Sequence, residues 1–360
     1  PGYTLKLPIY YSVCSLPEPV AEGKLDYRLQ QIVEWLPAVL GCQEFEVTPA
    51  SADASFRRYF RVAYAGQTAI IMDAPPGREN PLPFIRIAGL LAGAGVHTPR
   101  VMAQDLRQGF LLISDLGDVS YLQVLNFDNA AALYGDAVQA LLKIQTLPVS
   151  AAALPAYGAG LLWQEMSLFR DWFLGTHLGI SMDPSQEQRL EACFQLLAES
   201  ALQQPKVVVH RDYHSRNLMA CADERPGVID FQDAVIGPLS YDLVSLLRDA
   251  YIRWPQGHVE QWALDYFGQW LRQSGHRGIS PQTFLTWFDL MGLQRHLKVI
   301  GIFCRLNYRD HKSGYLNDIP LTFGYVLEVC QRHSGLADFY ELLQELAVSQ
   351  RLADRDPRAA

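Results

Sequence analysis

No stretch of this sequence matches GxxxxGK[ST] or GxGxxG, so neither a phosphate-binding P-loop nor a dinucleotide-binding βαβ turn is supported. The six cysteines, Cys14, Cys42, Cys193, Cys221, Cys304 and Cys330, form no CxxC pair, and a chain of 360 residues buries enough core to fold without disulfide staples. Reduced, mostly buried thiols are the expected state. Zinc-finger spacings, an RNP-like strand and long basic runs are lacking as well. Lys and Arg number 30 against 38 Asp and Glu, a formal charge of −8, and that sign works against binding a nucleic acid through its phosphates. A long stretch free of formal charge, residues 146–163, holds Pro148, Pro155, Gly158 and Gly160, which makes it a linker into a helix and not a membrane span. The first twenty residues carry no apolar run of the signal-peptide kind, and a cytoplasmic location is expected.

What is present is an ordinary globular composition, 49% apolar and 19% charged, at a length that suits two domains. Residues 25–40 have helical periodicity that stops near Gly41. From residue 44 to residue 73 the pattern changes to short strands, around Phe45 and Val47, over 59–64 and over 68–72, with turns at Ala65-Gly66 and Pro75-Pro76-Gly77. Residues 82–93 are helical in composition, and Val101 with residues 110–113 returns to strands. Beyond Val119 helices dominate, over 129–144, 161–174 and 185–202. One interruption breaks them: the apolar Val207-Val208-Val209, a polar loop, Leu218-Met219, a turn over 223–226, and Val228-Ile229-Asp230. The expectation is an α+β fold of two lobes. An N-terminal lobe over 25–116 would hold an antiparallel sheet and a packed helix, and a larger, mostly helical lobe would fill 117–360.

The interrupting segment carries the chemistry. His210-Arg211-Asp212-Tyr213-His214-Ser215-Arg216-Asn217 places Asp212 and Asn217 five residues apart, and Asp230 follows thirteen residues later in Ile229-Asp230-Phe231. A strand pair between Asn217 and Asp230 would bring both to one mouth. Phosphoryl transfer needs a carboxylate to orient the acceptor hydroxyl and oxygen ligands to hold Mg²⁺ across nucleotide phosphates. Asp212 fits the first role, and Asn217 with Asp230 the second. Singly, each is a common turn residue that caps backbone N–H groups. The order strand, HxDxxxxN, hairpin, apolar-Asp-Phe is what singles them out. His210 and His214 lie on a loop without a third ligand, so a zinc site is not expected, and His210 is expected to pack behind the loop and fix it.

On these residues the chain resembles the aminoglycoside phosphotransferase and choline kinase superfamily, whose catalytic loop reads His-Gly-Asp-x-x-x-x-Asn and whose metal-binding Asp opens an Ile-Asp-Phe strand end. The resemblance implies a bilobal, protein-kinase-like fold that uses ATP and Mg²⁺. It puts a phosphate-covering turn at residues 51–59, with Ser55, Phe56, Arg57 and Arg58 as nucleotide-binding candidates. It puts the segment that joins the lobes, with Asp115, beside the purine. Asp242, in Gly237-Pro238-Leu239-Ser240-Tyr241-Asp242-Leu243, is expected to brace the catalytic loop. Two positions depart from the family pattern. Arg211 stands where glycine is commoner, and Met72 stands where the third strand usually carries a lysine that holds the phosphates and pairs with a helix glutamate. Either an arginine of the preceding turn replaces that lysine, or the chain is a catalytically inactive nucleotide-binding scaffold.

The runs over 207–219, 227–255 and 304–320, with Met72-Asp73-Ala74-Pro75-Pro76, are similar to a bacterial cell-wall branch of the superfamily. Its members phosphorylate the anomeric C1 hydroxyl of free N-acetylmuramate and N-acetylglucosamine in peptidoglycan recycling. Acceptors of the aminoglycoside, choline or homoserine type remain the alternatives. Candidate acceptor residues are Glu165, Asp249, Arg253, Arg305, Asn307 and Arg309, of which Arg305 and Arg309 suit a carboxylate-bearing acceptor. The expected partners are the amino sugar and ATP, with neither nucleic acid nor membrane, and the chain is expected to be a monomer.

Overall fold

The computed structural model describes residues 26–52, 56–222 and 225–355. Helix α1 (Tyr27–Leu40) starts where the Asp26 carboxylate accepts the Leu29 N–H at 3.1 Å. It ends at Gly41, whose φ of 68° supplies the left-handed cap. Five strands follow: β1 (Glu46–Ala52), β2 (Arg58–Tyr64), β3 (Gln67–Asp73), β4 (Val101–Asp105) and β5 (Phe110–Ser114). They form one antiparallel sheet in the order β1-β2-β3-β5-β4. The two-residue turn Ala65-Gly66, both at positive φ, joins β2 to β3 in the geometry that matches strand twist.

Strand alternation gives the sheet two apolar faces. Phe60, Val62, Ile71, Phe110 and Leu112 pack with Ile32 and Leu36 of α1. Met72, Leu111 and Ile113 belong instead to the larger core shared with helix α2 (Leu82–Gly93), through Phe84, Ile87, Ala88 and Leu91, and with the helical lobe. Asp73, wholly buried at the end of β3, receives Arg28 of α1 at 2.8 Å and Arg58 of β2 at 2.7 Å. This clamp fixes α1 across the sheet and explains why an aspartate follows Met72.

The helical lobe is organised around a 30-residue helix, Pro281–Asp310, buried along most of its length. A Cβ at Gly301 would lie 2.3 Å from the Leu168 carbonyl carbon, so only glycine admits the close crossing with the Ala159–Leu168 helix. Two small antiparallel pairs follow, β6 (Lys206–Val209) with β9 (Val235–Pro238) and β7 (Leu218–Ala220) with β8 (Pro226–Val228). The lobes meet through the Val228 N–H to the His97 carbonyl (2.8 Å), the Thr98 hydroxyl to the Val228 carbonyl (3.1 Å) and the Phe84–Phe231 ring contact.

The α+β, two-lobed architecture matches the expectation. One segment differs from it. The helix expected over 161–174 is α-helical only to Leu168 and continues as a π-helix, Phe169–His177. The stretch 304–320 is the end of the long helix, a left-handed His311, a 3₁₀ turn Ser313–Asp318 and the first turn of Ile319–Arg332, where Pro320 stands in the first helical turn. Among the described residues the cysteines are free, and no helix is long and apolar enough to cross a membrane. Cys14 and Asp223, the latter in the expected turn, lie outside the described residues.

Candidate active site

The loop between β6 and β7 is held from below. The Asp242 carboxylate, at the start of the Tyr241–Leu247 helix, accepts the backbone N–H groups of His210 at 2.6 Å and Arg211 at 3.0 Å. Burial pushes this carboxyl up to about 7, against the pull of the two donors. His210 is buried, receives the Asp212 N–H on Nδ1 at 3.3 Å, and is kept neutral by burial, its pKa held down at about 4. Asp249 accepts the N–H of Ser215 at 2.9 Å and its hydroxyl, and anchors the far side of the loop. Both the expected bracing by Asp242 and the packing role of His210 are present.

The β7–β8 ladder then does what its register requires. It pairs Leu218 with Val228, and the Ile229 N–H reaches the Asn217 carbonyl at 3.1 Å. Asn217 and Asp230 therefore face each other: the Asn217 amide donates to Asp230 Oδ2 at 3.3 Å and to the Asp212 carbonyl at 3.0 Å. Asp230 is held at a φ of 65°, a left-handed conformation that costs a non-glycine residue about 1–3 kcal/mol and that aims its carboxylate into the cleft. One carboxylate and one amide oxygen would suit Mg²⁺, which usually takes its remaining ligands from water and phosphate. Among the described residues no cluster of three His, Cys, Asp or Glu side chains offers an all-protein metal cage.

A cavity of about 270 Å³ opens beside Asp212, Asn217 and Asp230. The Pro281–Asp310 helix forms its long wall: Arg295, Val299, Ile302 and Leu306 recur at helical spacing, with Lys298 and Phe303 beside them. Tyr251 and Tyr315 complete the apolar lining, and the Arg216 guanidinium lies 3.6 Å from the centre of the Tyr251 ring. Burial acts to raise the Asp212 carboxyl, but Lys298 first, then His214, Arg295 and His210, outweigh it, and the net direction is down, which keeps Asp212 ionised. Neither Lys298 nor Arg295 was singled out from the sequence. A Gln-Arg-His-Leu-Lys run inside an otherwise apolar helix was the available signal.

Glu165, expected to touch the acceptor, sits beneath the loop. It pairs with Arg211 at 2.7 Å and Lys298 at 3.2 Å and accepts the Tyr157 hydroxyl. Burial opposes its ionisation, and the two cations reverse that direction. Arg211 has a φ of 80°, so this position favours glycine; the Glu165 pair and the Asp242 carboxylate hold the arginine there.

The remaining candidates divide. Arg57 reaches across the cleft to within 3.9 Å of Asp230 Oδ1. Arg58 is committed to Asp73 and Asp26, and Phe56 points outward at 60% exposure under the Arg78 guanidinium. Ser55 lies outside the described residues. Asp115 accepts Arg61 at 2.6 Å and the Gly117 N–H at 2.9 Å, so its carboxylate stiffens the segment between the lobes. Asp249 lines the cavity, but its oxygens serve Ser215 and Tyr251. Arg253 pairs with Glu328 and covers the Tyr325 ring, and Arg309 pairs in solvent with Asp310 at 2.8 Å. Arg305, Asn307 and Arg309 are not among the residues that line the cavity.

Met72 is fully buried in the cluster that contains Phe84, Ile87, Ala88 and Leu91 of α2, and α2 carries no glutamate. Lysine and glutamate are thus both replaced, and apolar packing takes the place of the pair without leaving a lone buried charge.

Comparison with known proteins gives the family. The model of the phosphotransferase enzyme family matches residues 46–281. The chain is 48% identical over 340 residues to the N-acetylmuramate/N-acetylglucosamine kinase of Pseudomonas putida, covering 91% of this chain and 98% of that protein. It is 38% identical over 334 residues to the kinase of the same name from Neisseria meningitidis, covering 90% and 98%. Among solved structures, a choline/ethanolamine kinase family protein from Mesorhizobium loti superposes with a TM-score of 0.59 at 13% identity, over 88% of this chain and 99% of that one. A Plasmodium vivax ethanolamine kinase gives 0.56 at 10%, over 79% and 82%. The chain belongs to the phosphotransferase enzyme family.

Proposed function

We propose that this protein transfers the γ-phosphoryl group of ATP to the anomeric C1 hydroxyl of N-acetylmuramate, and also of N-acetylglucosamine, in the cytoplasmic recycling of peptidoglycan sugars. The observation that carries the reading is Asp212 beside the Asn217–Asp230 pair at the mouth of a monosaccharide-sized cavity, in a chain that shares 48% identity with a kinase of that name.

Asp212 takes the proton of the acceptor hydroxyl. An anomeric hydroxyl is more acidic than an ordinary alcohol, so a single carboxylate kept ionised by its neighbours, Lys298 first, suffices as the base. Asn217 and Asp230 would hold Mg²⁺, which supplies neutralisation of phosphate charge. Arg57, close to Asp230, is the cation of the covering turn that takes over where Met72 cannot act. Residues 25–116 serve the nucleotide and residues 117–360 the catalytic loop and acceptor. An inactive scaffold is disfavoured because the Met72 position is accounted for by packing, with the catalytic carboxylates intact. ADP release measured over a panel of free sugars, aminoglycosides, choline and homoserine tests the reading. Turnover confined to the two N-acetylated sugars supports it, and turnover confined to another acceptor removes it.

A further inference from the structure

A buried arginine with no hydrogen-bonded carboxylate calls for an explanation. Arg295 is 3% exposed, lines the cavity, and makes no hydrogen bond or ion pair among the described residues; its charge acts on Asp212 and Asp242 without contact, and the Tyr241 ring lies 5.9 Å away. Its Nε is buried and unsatisfied. Lys298, one turn along, already has Glu165 at 3.2 Å and the Tyr241 hydroxyl at 2.9 Å. Leaving guanidinium donors unsatisfied in a low-dielectric wall is costly unless a ligand completes them. Arg295 stands on the helix that forms the acceptor wall, not on the N-terminal turn that faces the phosphates. The missing partner is therefore an anion on the acceptor. A planar guanidinium is suited to a carboxylate, and a cationic acceptor would be repelled.

We propose that Arg295 reads the charge of the acceptor by receiving the lactyl carboxylate of N-acetylmuramate, and that water takes that place when N-acetylglucosamine is bound. This rests on the amino-sugar reading above and replaces Arg305 and Arg309 as the specificity residues.

The test compares kcat/KM of the parent and of Arg295→Met for N-acetylmuramate, for its lactyl amide, which keeps the bulk without the charge, and for N-acetylglucosamine. The parent should prefer the acid to the amide by ~10–100-fold, the range of a hydrogen bond to a charged group. Arg295→Met should lose that preference: removing one charge that helps keep Asp212 ionised lowers turnover of all three sugars alike, and the acid alone falls by the further ~10–100-fold. Arg295→Lys, which keeps a cation in the wall, should recover part of it. An equal fall on all three sugars, or a parent that treats amide and acid alike, overturns the proposal while leaving the sugar-kinase reading intact. A parent that phosphorylates none of the three overturns both. Should Arg295→Met fail to fold by circular dichroism, the acid–amide comparison on the parent decides alone.

Discussion

The Asp242 carboxylate holds the backbone of Arg211 through a 3.0 Å hydrogen bond, at a φ of 80° that an L-residue adopts only under restraint. Arg211 immediately precedes Asp212, so the restraint sets where the Asp212 carboxylate, the proposed base, points. Replacing Arg211 by Gly and by Ala removes the same ion pair to Glu165 but leaves strain only in the second. Arg211→Gly should be about 1 kcal/mol more stable than Arg211→Ala, read from urea midpoints at equal m-values. An alanine variant as stable as the glycine variant would show that the backbone is unstrained.

Glu165 neutralises two cations at once, Arg211 and Lys298. Glu165→Gln keeps the shape and strands both charges beneath the loop. A loss of ~3–5 kcal/mol is expected, the usual cost of breaking a buried pair from one side. An unchanged unfolding midpoint would mean that the network has no energetic role.

Much of this was legible in the sequence. The HxDxxxxN loop, the hairpin and Ile229-Asp230-Phe231 specify their own geometry because a strand pair of fixed register links Asn217 to Asp230. The β2–β3 turn and the Gly41 cap were readable for the same reason: local chemistry decides them. Tertiary partners decide the rest. Arg58 reads as a phosphate ligand until Asp73 is seen to be buried beside it, and Glu165 reads as a cleft residue until Lys298 arrives from a helix 133 residues away. Arg305 and Arg309 looked apt for a carboxylate, whereas Arg295, inside the apolar part of the same helix, faces the cavity.

His296 supplies a pH dependence with a definite sign. The ring is fully buried, stacks on Tyr325, and donates from Nε2 to the Arg248 carbonyl at 2.9 Å. Burial holds its pKa down at about 3 against an ordinary 6.5. The unfolded chain therefore takes up a proton that the fold refuses, and stability present above pH 6.5 is lost as pH falls through that window toward 3, by about 1.4 kcal/mol per pH unit. His210, held at about 4, adds to this loss, whereas Asp242, raised from 3.8 to about 7, acts oppositely. The difference between parent and His296→Gln isolates one proton. Between pH 6 and pH 4 the parent should lose stability more steeply by about that slope, and parallel curves would contradict the assignment.

Asp212 and Asp230 should separate cleanly in function. Asp212→Asn should lower kcat ~10²–10⁴-fold, the range of a general base, while Mg·ATP binding stays within a few-fold. Asp230→Ala should lose the metal-dependent part of nucleotide binding, measured by titration calorimetry with and without Mg²⁺. Near-parental turnover in the first variant, or parental Mg·ATP affinity in the second, would reassign the residue.

The central claim is that Asp212 delivers the anomeric hydroxyl to the γ-phosphate. Phosphorus–proton coupling in the NMR spectrum of the product reports the carbon that carries the new phosphate. The expected result is coupling to the C1 proton of N-acetylmuramate, with no turnover of its C1-methyl glycoside. A 6-phosphate, or a methyl glycoside that reacts as fast as the free sugar, would contradict the account.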